Sequence, residues 1–477
     1  MRRNAALFVT ISLLSGLGGS AMALVAGIWV LDLTGSTGQA ALAGLCVYVP
    51  VLAGPWLGGV LDRTPRRPLV IGVNLALAAT LLCLLAVRGP DQTWLIFVVA
   101  AAYGVSYVLI DAGETALLPA ALSPAQLADV NGWRSSAQEG MKLVAPLAGA
   151  GLYAWRGGYP VAVLSAAAPV LVALLYAALR LPATGGTQAA ADPPTAPPGP
   201  AAGRPPGLRA GLAALLDERA VRVPVTLAAV SIAMSGFTTA ALYTVVTTEL
   251  ALPSTFLGVL ASAQGGGSVL AGLAVGRLVD RRGAVAVGVA GTALFAAGCL
   301  GRCLPWWPAT VAASAVIGVG LPWTLVAAVT AVQTHTRPAL LGRVSGTANT
   351  LMFGPITLAI PLGSAAVRLG GRPPLVAAAV TCLVVALLAA AGRGRRTHAP
   401  DRSRRPGRRA RPVPEVRGRA AHAQRQVSVA VRVPPAGVVK LRFAPDSQVT
   451  EPSGFFLTYL YSTAVFGGRS TVARQTG

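Results

Sequence analysis

The sequence predicts an all-α membrane protein of twelve transmembrane helices arranged as two six-helix halves, and three observations carry that expectation. Of its 477 residues 54% are hydrophobic and 12% charged, with a mean hydropathy of +0.63. Such a chain is too apolar to fold in water and too long for one simple bundle. Apolar runs of the ~20 residues needed to cross a hydrocarbon core recur along it, separated by short charged loops. A charged string recurs as well. Gly58-Gly59-Val60-Leu61-Asp62-Arg63-Thr64-Pro65-Arg66-Arg67 has a counterpart in Gly276-Arg277-Leu278-Val279-Asp280-Arg281-Arg282-Gly283, each set between two apolar runs, so the chain reads as internally duplicated.

Taken in order, the first six spans fall at Leu7–Leu31, Gln39–Leu61, Pro68–Val87, Trp94–Thr115, Ser135–Trp155 and Pro160–Leu179. Arg2-Arg3, the apolar run and Ala21-Met22-Ala23 mimic a signal peptide. The run continues to Leu31, long enough to span, so no cleavage is expected. Pro182 to Pro206 is rich in Pro, Ala and Gly and cannot bury a core, which makes it a flexible linker. Leu208 to Arg222 mixes Leu212, Leu215 and Leu216 with Asp217, Glu218 and Arg219, as an amphipathic element at the membrane surface does. The second six spans fall at Val223–Thr248, Thr255–Val279, Ala284–Cys303, Trp306–Ala331, Val344–Val367 and Pro374–Ala391. The resulting units are an N-terminal bundle over 1–180, a linker over 181–222, a C-terminal bundle over 223–392, and a basic, disordered cytoplasmic tail over 393–477. The apolar patch Phe455 to Phe466 in that tail is too short to span.

Loop arginines set the orientation, because short loops rich in Arg stay on the cytoplasmic side. Arg2, Arg3, Arg63, Arg66, Arg67, Arg134, Arg180 and their counterparts in the second half lie on one side. Only Arg88, Arg156, Arg302, Arg368 and Arg372 lie on the other. Both termini are therefore expected in the cytoplasm, with the chain in the cell membrane. The net charge of +23 sits unevenly, the segment after Gly392 being basic almost throughout. Anionic lipid headgroups attract such residues at about 1 kcal/mol each. Nucleic acid is not expected as a partner, since no groove-reading motif is present.

Cys46, Cys83, Cys299, Cys303 and Cys382 all fall inside apolar runs, away from His335, His398 and His422, and read as packing residues. No metal or cofactor is expected. No glycine loop that would cradle a phosphate stands in a cytoplasmic segment, so neither an ATP-driven pump nor an enzyme is expected. A monomer is expected.

Gly-x-x-x-Asp-Arg-x-x-Arg-Arg over Gly58 to Arg67 resembles the signature loop of the major facilitator superfamily between helices two and three, with a weaker copy between helices eight and nine. Pro65 stands where that pattern usually has Gly, and the second copy lacks the paired Arg66 and Arg67. The resemblance implies a secondary transporter whose halves rock about a midplane site, with gating roles for Gly58, Asp62, Arg63, Arg66 and Asp280.

Asp111 and Glu114 are three apart, on one face near the end of the fourth span. The resemblance implies that one of them pairs with Arg66 in a structural or gating role; direct proton carriage is the alternative. Glu139 and Lys142 repeat that spacing about 6–12 Å inside the fifth span. Burying both charges costs several kcal/mol each, which fits a proton or substrate pathway or else a static pair locking the helix to a neighbour. Ala145-Pro146-Leu147-Ala148-Gly149-Ala150-Gly151 is similar to the antiporter motif on helix five of exporters, and Gly354-Pro355 occupies the matching place in span eleven. Small residues let helices approach and slide, and Pro146 opens a kink.

Candidates for the substrate cavity are Trp29, Tyr103, Tyr107, Phe237, Tyr243, Gln264, Trp323, Asn349 and Met352. Most aromatics in such a set are packing or interface residues, and a few near the middle, particularly Tyr103, Phe237 and Gln264, suit a largely apolar ligand with one or two hydrogen bonds. The Leu31-Asp32-Leu33-Thr34-Gly35-Ser36 end of helix one, and the passage from Ala116-Leu117-Leu118-Pro119 to Asn131, resemble exporters of the macrolide-efflux and enterobactin-export type. That likeness implies proton-coupled efflux of a small drug, antibiotic or secondary metabolite. The alternatives are a metabolite or sugar transporter of the same fold, which needs more polar side chains in mid-span, and a non-transporting receptor or scaffold acting through its basic tail.

Overall fold

The computed structural model describes residues 2–53, 64–181, 215, 217–336 and 341–397. Everything described as far as Gly392 belongs to one compact unit. The described segments are helical, with no strand among them. In the first half α1 (Arg2–Thr34) is followed by α2 (Thr37–Tyr48), which tightens into a 3-10 turn over Val49–Ala53. Then come α3 (Arg66–Leu82), α4 (Thr93–Ala121), α5 (Pro124–Arg156) and α6 (Gly158–Ala178). The second half comprises α7 (Arg219–Phe237), α8 (Thr239–Thr244), α9 (Leu257–Arg282), α10 (Ala284–Gly301), α11 (Trp307–His335), α12 (Leu341–Phe353), α13 (Ile356–Ala366) and α14 (Arg372–Thr397).

Ten helical segments among the described residues are long and apolar enough to cross a membrane. Two expected spans are not among them, for different reasons. The span at Gln39–Leu61 is described only to Ala53, and residues 54–63 lie outside the described residues. Helix α5 is 33 residues long, about 50 Å at the helical rise. Its Arg134, Glu139 and Lys142 lower its hydropathy.

Two expected spans are single helices in the sequence and broken ones in the structure. The seventh breaks at Thr238, where the hydroxyls of Thr238 and Thr239 both donate to the Ser235 carbonyl, at 3.1 and 3.2 Å. Hydroxyls placed there compete with the backbone ladder. Past α8 the same span widens into a π turn over Val245–Glu249. The eleventh breaks between α12 and α13 at Gly354-Pro355, where proline has no N–H for the ladder. Pro146, by contrast, sits inside an unbroken α5.

The packing repeats between the halves. Helix α1 lies on α5, α2 on α4, and α3 on α4; the second half pairs α7 with α13, α9 with α11, and α10 with α11 in the same order. The halves meet where α5 packs on α9 and α2 on α13. One end of the bundle, the Asp32 end, carries the exposed rings of Trp94, Trp155, Trp306 and Trp307, placed as membrane–water interface aromatics are. At the opposite, Arg66 end, Gly283 closes α9 with φ +81°, and its N–H reaches Val279 O at 2.8 Å. A glycine takes that left-handed turn without a Cβ clash. The second copy of the charged string thus ends in a helix stop.

The first copy is only partly described. Gly58, Asp62 and Arg63 lie outside the described residues, while Arg66 and Arg67 form the first turn of α3. Cations are unfavourable at a helix N-terminus, and Arg67 instead reaches the C-terminus of α6, donating through Nε to Tyr176 O at 3.1 Å and through Nη2 to Ala177 O. Arg3 donates to the next carbonyl, Ala178 O, at 2.6 Å. Asn4 binds Ala121 O and Arg180 O, at 3.0 and 2.9 Å. Side chains of α1 and α3 thus hold α6's orphan terminal carbonyls, and Asn4 of α1 also ties in the end of α4.

Of the expected surface helix Leu208 to Arg222, only residue 215 and residues from 217 onward are described. Leu215 is buried in the second-half core with Val221 and Val225 and does not face the membrane surface.

Candidate functional site

Three groups of polar side chains lie along the seam between the halves and inside the first half. At the Asp32 end, Asp32 in the last turn of α1 accepts from Tyr153 at the end of α5 and from Ser254 ahead of α9, both at 2.9 Å. Close by, Thr244 of α8 donates to Thr37 of α2 at 2.9 Å, and the Tyr243 hydroxyl lies against Gly27 of α1. These contacts join the two halves at this end.

Midway along α5, Lys142 donates to Glu139 one turn earlier. The side chains are 11% and 8% exposed, so the pair is held out of bulk solvent. It sits beside the crossing of α5 and α9. A Cβ placed on Gly265 would stand 2.6 Å from the Lys142 carbonyl oxygen, and one on Gly258 would stand 2.9 Å from Pro146 O. Only glycine permits this approach. Pro146 itself has no N–H to offer the Lys142 carbonyl one turn back.

Toward the Arg66 end, Glu114 of α4 is bridged to Arg134 of α5 at 2.9 Å. Arg134 also donates to Ser12 Oγ of α1 at 3.2 Å and to Asn131 Oδ1 at 3.3 Å. Glu114's cation is therefore Arg134, not Arg66, which is exposed on the first turn of α3. Asp111 is buried one turn away from Glu114. Asp280 is exposed near the end of α9.

A sequence profile of the Major Facilitator Superfamily matches residues 225–472, more than half of the 477. The chain belongs to the major facilitator superfamily. No curated protein sequence matches it. Among solved structures it is similar to a bacterial homologue of the iron transporter ferroportin in an inward-facing state, with 16% identity and a TM-score of 0.58 over 82% of this chain and 99% of that one. The nucleoside transporter NupG gives 14% identity and a TM-score of 0.57 over 81% and 98%. A POT family transporter in complex with a thioalcohol-conjugated peptide gives 10% identity and a TM-score of 0.62 over 82% and 96%. At these identities the likeness is one of fold. This major facilitator chain is thus a multi-pass membrane transporter, and its small-molecule cargo is not named by the likeness.

The cavity candidates of this major facilitator protein do not form one ring. Trp29 is enclosed against Gly158, with its ring edge-to-face on Tyr159 at 5.7 Å, so it packs α1 on α6 and lines no open cleft. Tyr103 and Tyr107 stack at 6.4 Å, with the Tyr103 hydroxyl against Gly19. Phe237 packs beside the cluster of Phe295, Ile317 and Cys382, and its carbonyl meets Gly363. The Asn349 side-chain oxygen is buried without a hydrogen-bond partner among the described residues. Gln264 accepts from Arg302 at 3.4 Å.

Two cations escaped the sequence reading because both counted only as loop arginines. Arg134 and Arg302 are 6% and 4% exposed. For Arg134 a signal exists: with Glu114 it flanks the short turn at Leu122-Ser123, which brings the adjoining ends of α4 and α5 together. For Arg302 at the end of an apolar run, the sequence carries no sign of which way its side chain turns.

Proposed function

We propose that this transporter is a proton-coupled exporter of a small, largely apolar compound, a drug, antibiotic or secondary metabolite, working by alternating access. The reading includes twelve spans in bundles 1–180 and 223–392 joined by the linker 181–222, with both termini and the tail 393–477 in the cytoplasm. It also takes the protein as a monomer in the cell membrane, its basic tail beside anionic lipid. The observation that carries it is the Glu139–Lys142 pair, buried beside the α5–α9 crossing of the two halves. A carboxylate that alternates between an ammonium and a less polar setting as the halves rock can load and release a proton. The signature residues Gly58, Asp62, Arg63, Arg66 and Asp280 would then gate the cytoplasmic mouth, with Asp111 and Glu114 bracing it. Pro146 would serve the sliding crossing. Tyr103, Tyr107, Phe237, Gln264 and Asn349 supply the aromatic and amide contacts of the path.

The contacts at the Asp32 end support a form closed outward, since the Arg pattern places that end outside. A sugar or metabolite carrier of the same fold would require many more convergent polar groups than the described spans hold.

The test uses the full chain in proteoliposomes holding a pH-sensitive dye, with a panel of cationic, neutral and carboxylate fluorophores as probes. Coupling predicts proton flux when a transported probe is added, and its loss in Glu139→Gln with probe binding retained. Transport of a probe with no proton flux in the parental protein would sink the coupling.

A further inference from the structure

Arg302 is the C-cap residue of α10, at the Asp32 end. An arginine at that depth usually extends toward interfacial water; this one turns inward and is 4% exposed. Its Nε and Nη2 donate to Ser314 Oγ of α11 at 3.2 and 2.9 Å, and Nη2 also to Gln264 Oε1 of α9 at 3.4 Å. All of these acceptors are neutral. Among the described residues no carboxylate lies within ion-pair distance of the guanidinium, and Nη1 makes no hydrogen bond. A guanidinium has five N–H donors in a fork that matches a planar carboxylate, and a buried charge without a counter-ion is retained only where something compensates it. Its side-chain bonds go to two other helices and to none of α10's own terminal carbonyls, so helix capping does not account for it.

The position of Gln264 ties this cation to the seam. The next residue, Gly265, is the one seated on the Lys142 carbonyl. Arg302 and Lys142 thus meet α9 at consecutive residues, Arg302 through its side chain at Gln264 and Lys142 through its backbone carbonyl at Gly265. A bound anion would balance the Arg302 charge, and Gln264, only partly buried, stands beside it.

We infer that Arg302, with Gln264 and Ser314, is an anion-recognising subsite of the transport path, and that the cargo is an aromatic or aliphatic amphipath bearing one carboxylate. This rests on the transport reading and narrows its substrate class. It does not rest on proton coupling.

The test is equilibrium binding to the purified full-length protein in lipid nanodiscs, at one pH and without a gradient. The probes are 1-naphthoate and its neutral isostere 1-naphthamide. The parental protein should bind the naphthoate about tenfold more tightly. Arg302→Gln should erase the difference and Arg302→Lys should keep part of it. Gln264→Glu puts a fixed carboxylate beside the guanidinium while keeping side-chain size, and should also erase the preference. That variant decides the matter if Arg302→Gln does not fold. Equal binding of the two probes, binding of neither, or a preference that persists in folded Arg302→Gln or in Gln264→Glu overturns the subsite. Absence of proton flux in proteoliposomes with the naphthoate preference intact removes the coupling alone; loss of the preference with flux intact removes the subsite alone.

Discussion

Gly265 sits on the backbone carbonyl of Lys142, so close that a Cβ would lie 2.6 Å from the oxygen and 2.8 Å from its carbon. The contact brings the two halves backbone to backbone at the residue that also carries the buried ammonium. Any side chain at 265 must part α5 from α9. Overpacking of this kind costs about 1–3 kcal/mol. Gly265→Ala should leave insertion and yield near parental levels, while transport of a probe in proteoliposomes falls severalfold and Gly265→Val abolishes it. Parental transport in folded Gly265→Val would show that the crossing need not be tight.

Asp32 accepts one hydrogen bond from each half, Tyr153 and Ser254. Opening the bundle at that end must break the Ser254 bond, whereas the Tyr153 bond stays within its own half. Each net bond contributes about 1 kcal/mol, enough to shift a two-state population roughly fivefold. Ser254→Ala should therefore raise the labelling rate of Ala40→Cys, in a background free of other cysteines, by a membrane-impermeant maleimide. Tyr153→Phe should raise it less. Equal rates in parent and Ser254→Ala would mean that Asp32 does not hold this end closed.

Arg67 gives the signature loop a structural function beside any gating. Its fork joins the start of α3 to the Tyr176 and Ala177 carbonyls at the end of α6. Arg67→Ala should destabilise the first half by about 1 kcal/mol, and Arg67→Lys should recover little, because an ammonium cannot span two carbonyls as a fork does. Thermal unfolding of the purified protein reads both. A lysine variant as stable as the parent would reduce the contact to simple charge.

Much of this fold was legible because a membrane imposes a strong rule. Runs such as Pro160–Leu179 and Ala284–Cys303 must be helical to satisfy their backbone in hydrocarbon, and the structure places α6 and α10 over them. Breaks inside spans were less legible. Gly354-Pro355 announces one, whereas the break at Thr238 depends on two hydroxyls choosing the Ser235 carbonyl, and threonines elsewhere in the chain bond back to a carbonyl one turn earlier inside unbroken helices. The Glu139–Lys142 pair followed from spacing on one helix. Arg134 with Glu114, and Arg302 with Ser314, join different helices, and their partners depend on helix rotation that apolar runs do not encode. Trp29 shows the converse error. An aromatic in mid-span looks the same in sequence whether it lines a cleft or fills the space above Gly158.

The bridge from Glu114 to Arg134 separates bracing from proton carriage. Both groups are almost fully enclosed, at 4% and 8% side-chain exposure, and Arg134 is further bound by Ser12 and Asn131. A guanidinium held by three partners from three helices has little freedom to release its carboxylate. Removing the carboxylate alone leaves a buried unpaired cation, at a cost of about 3–5 kcal/mol. Glu114→Gln should thus lower yield and thermal stability sharply, and Arg134→Met added to it should restore most of the loss, because the pair is then replaced as a unit. Transport should return with stability in the double variant if the bridge only braces α4 on α5. A double variant that is stable and binds its probe, yet shows no proton flux, would instead make Glu114 the coupling acid and reduce Glu139 to the static partner of Lys142.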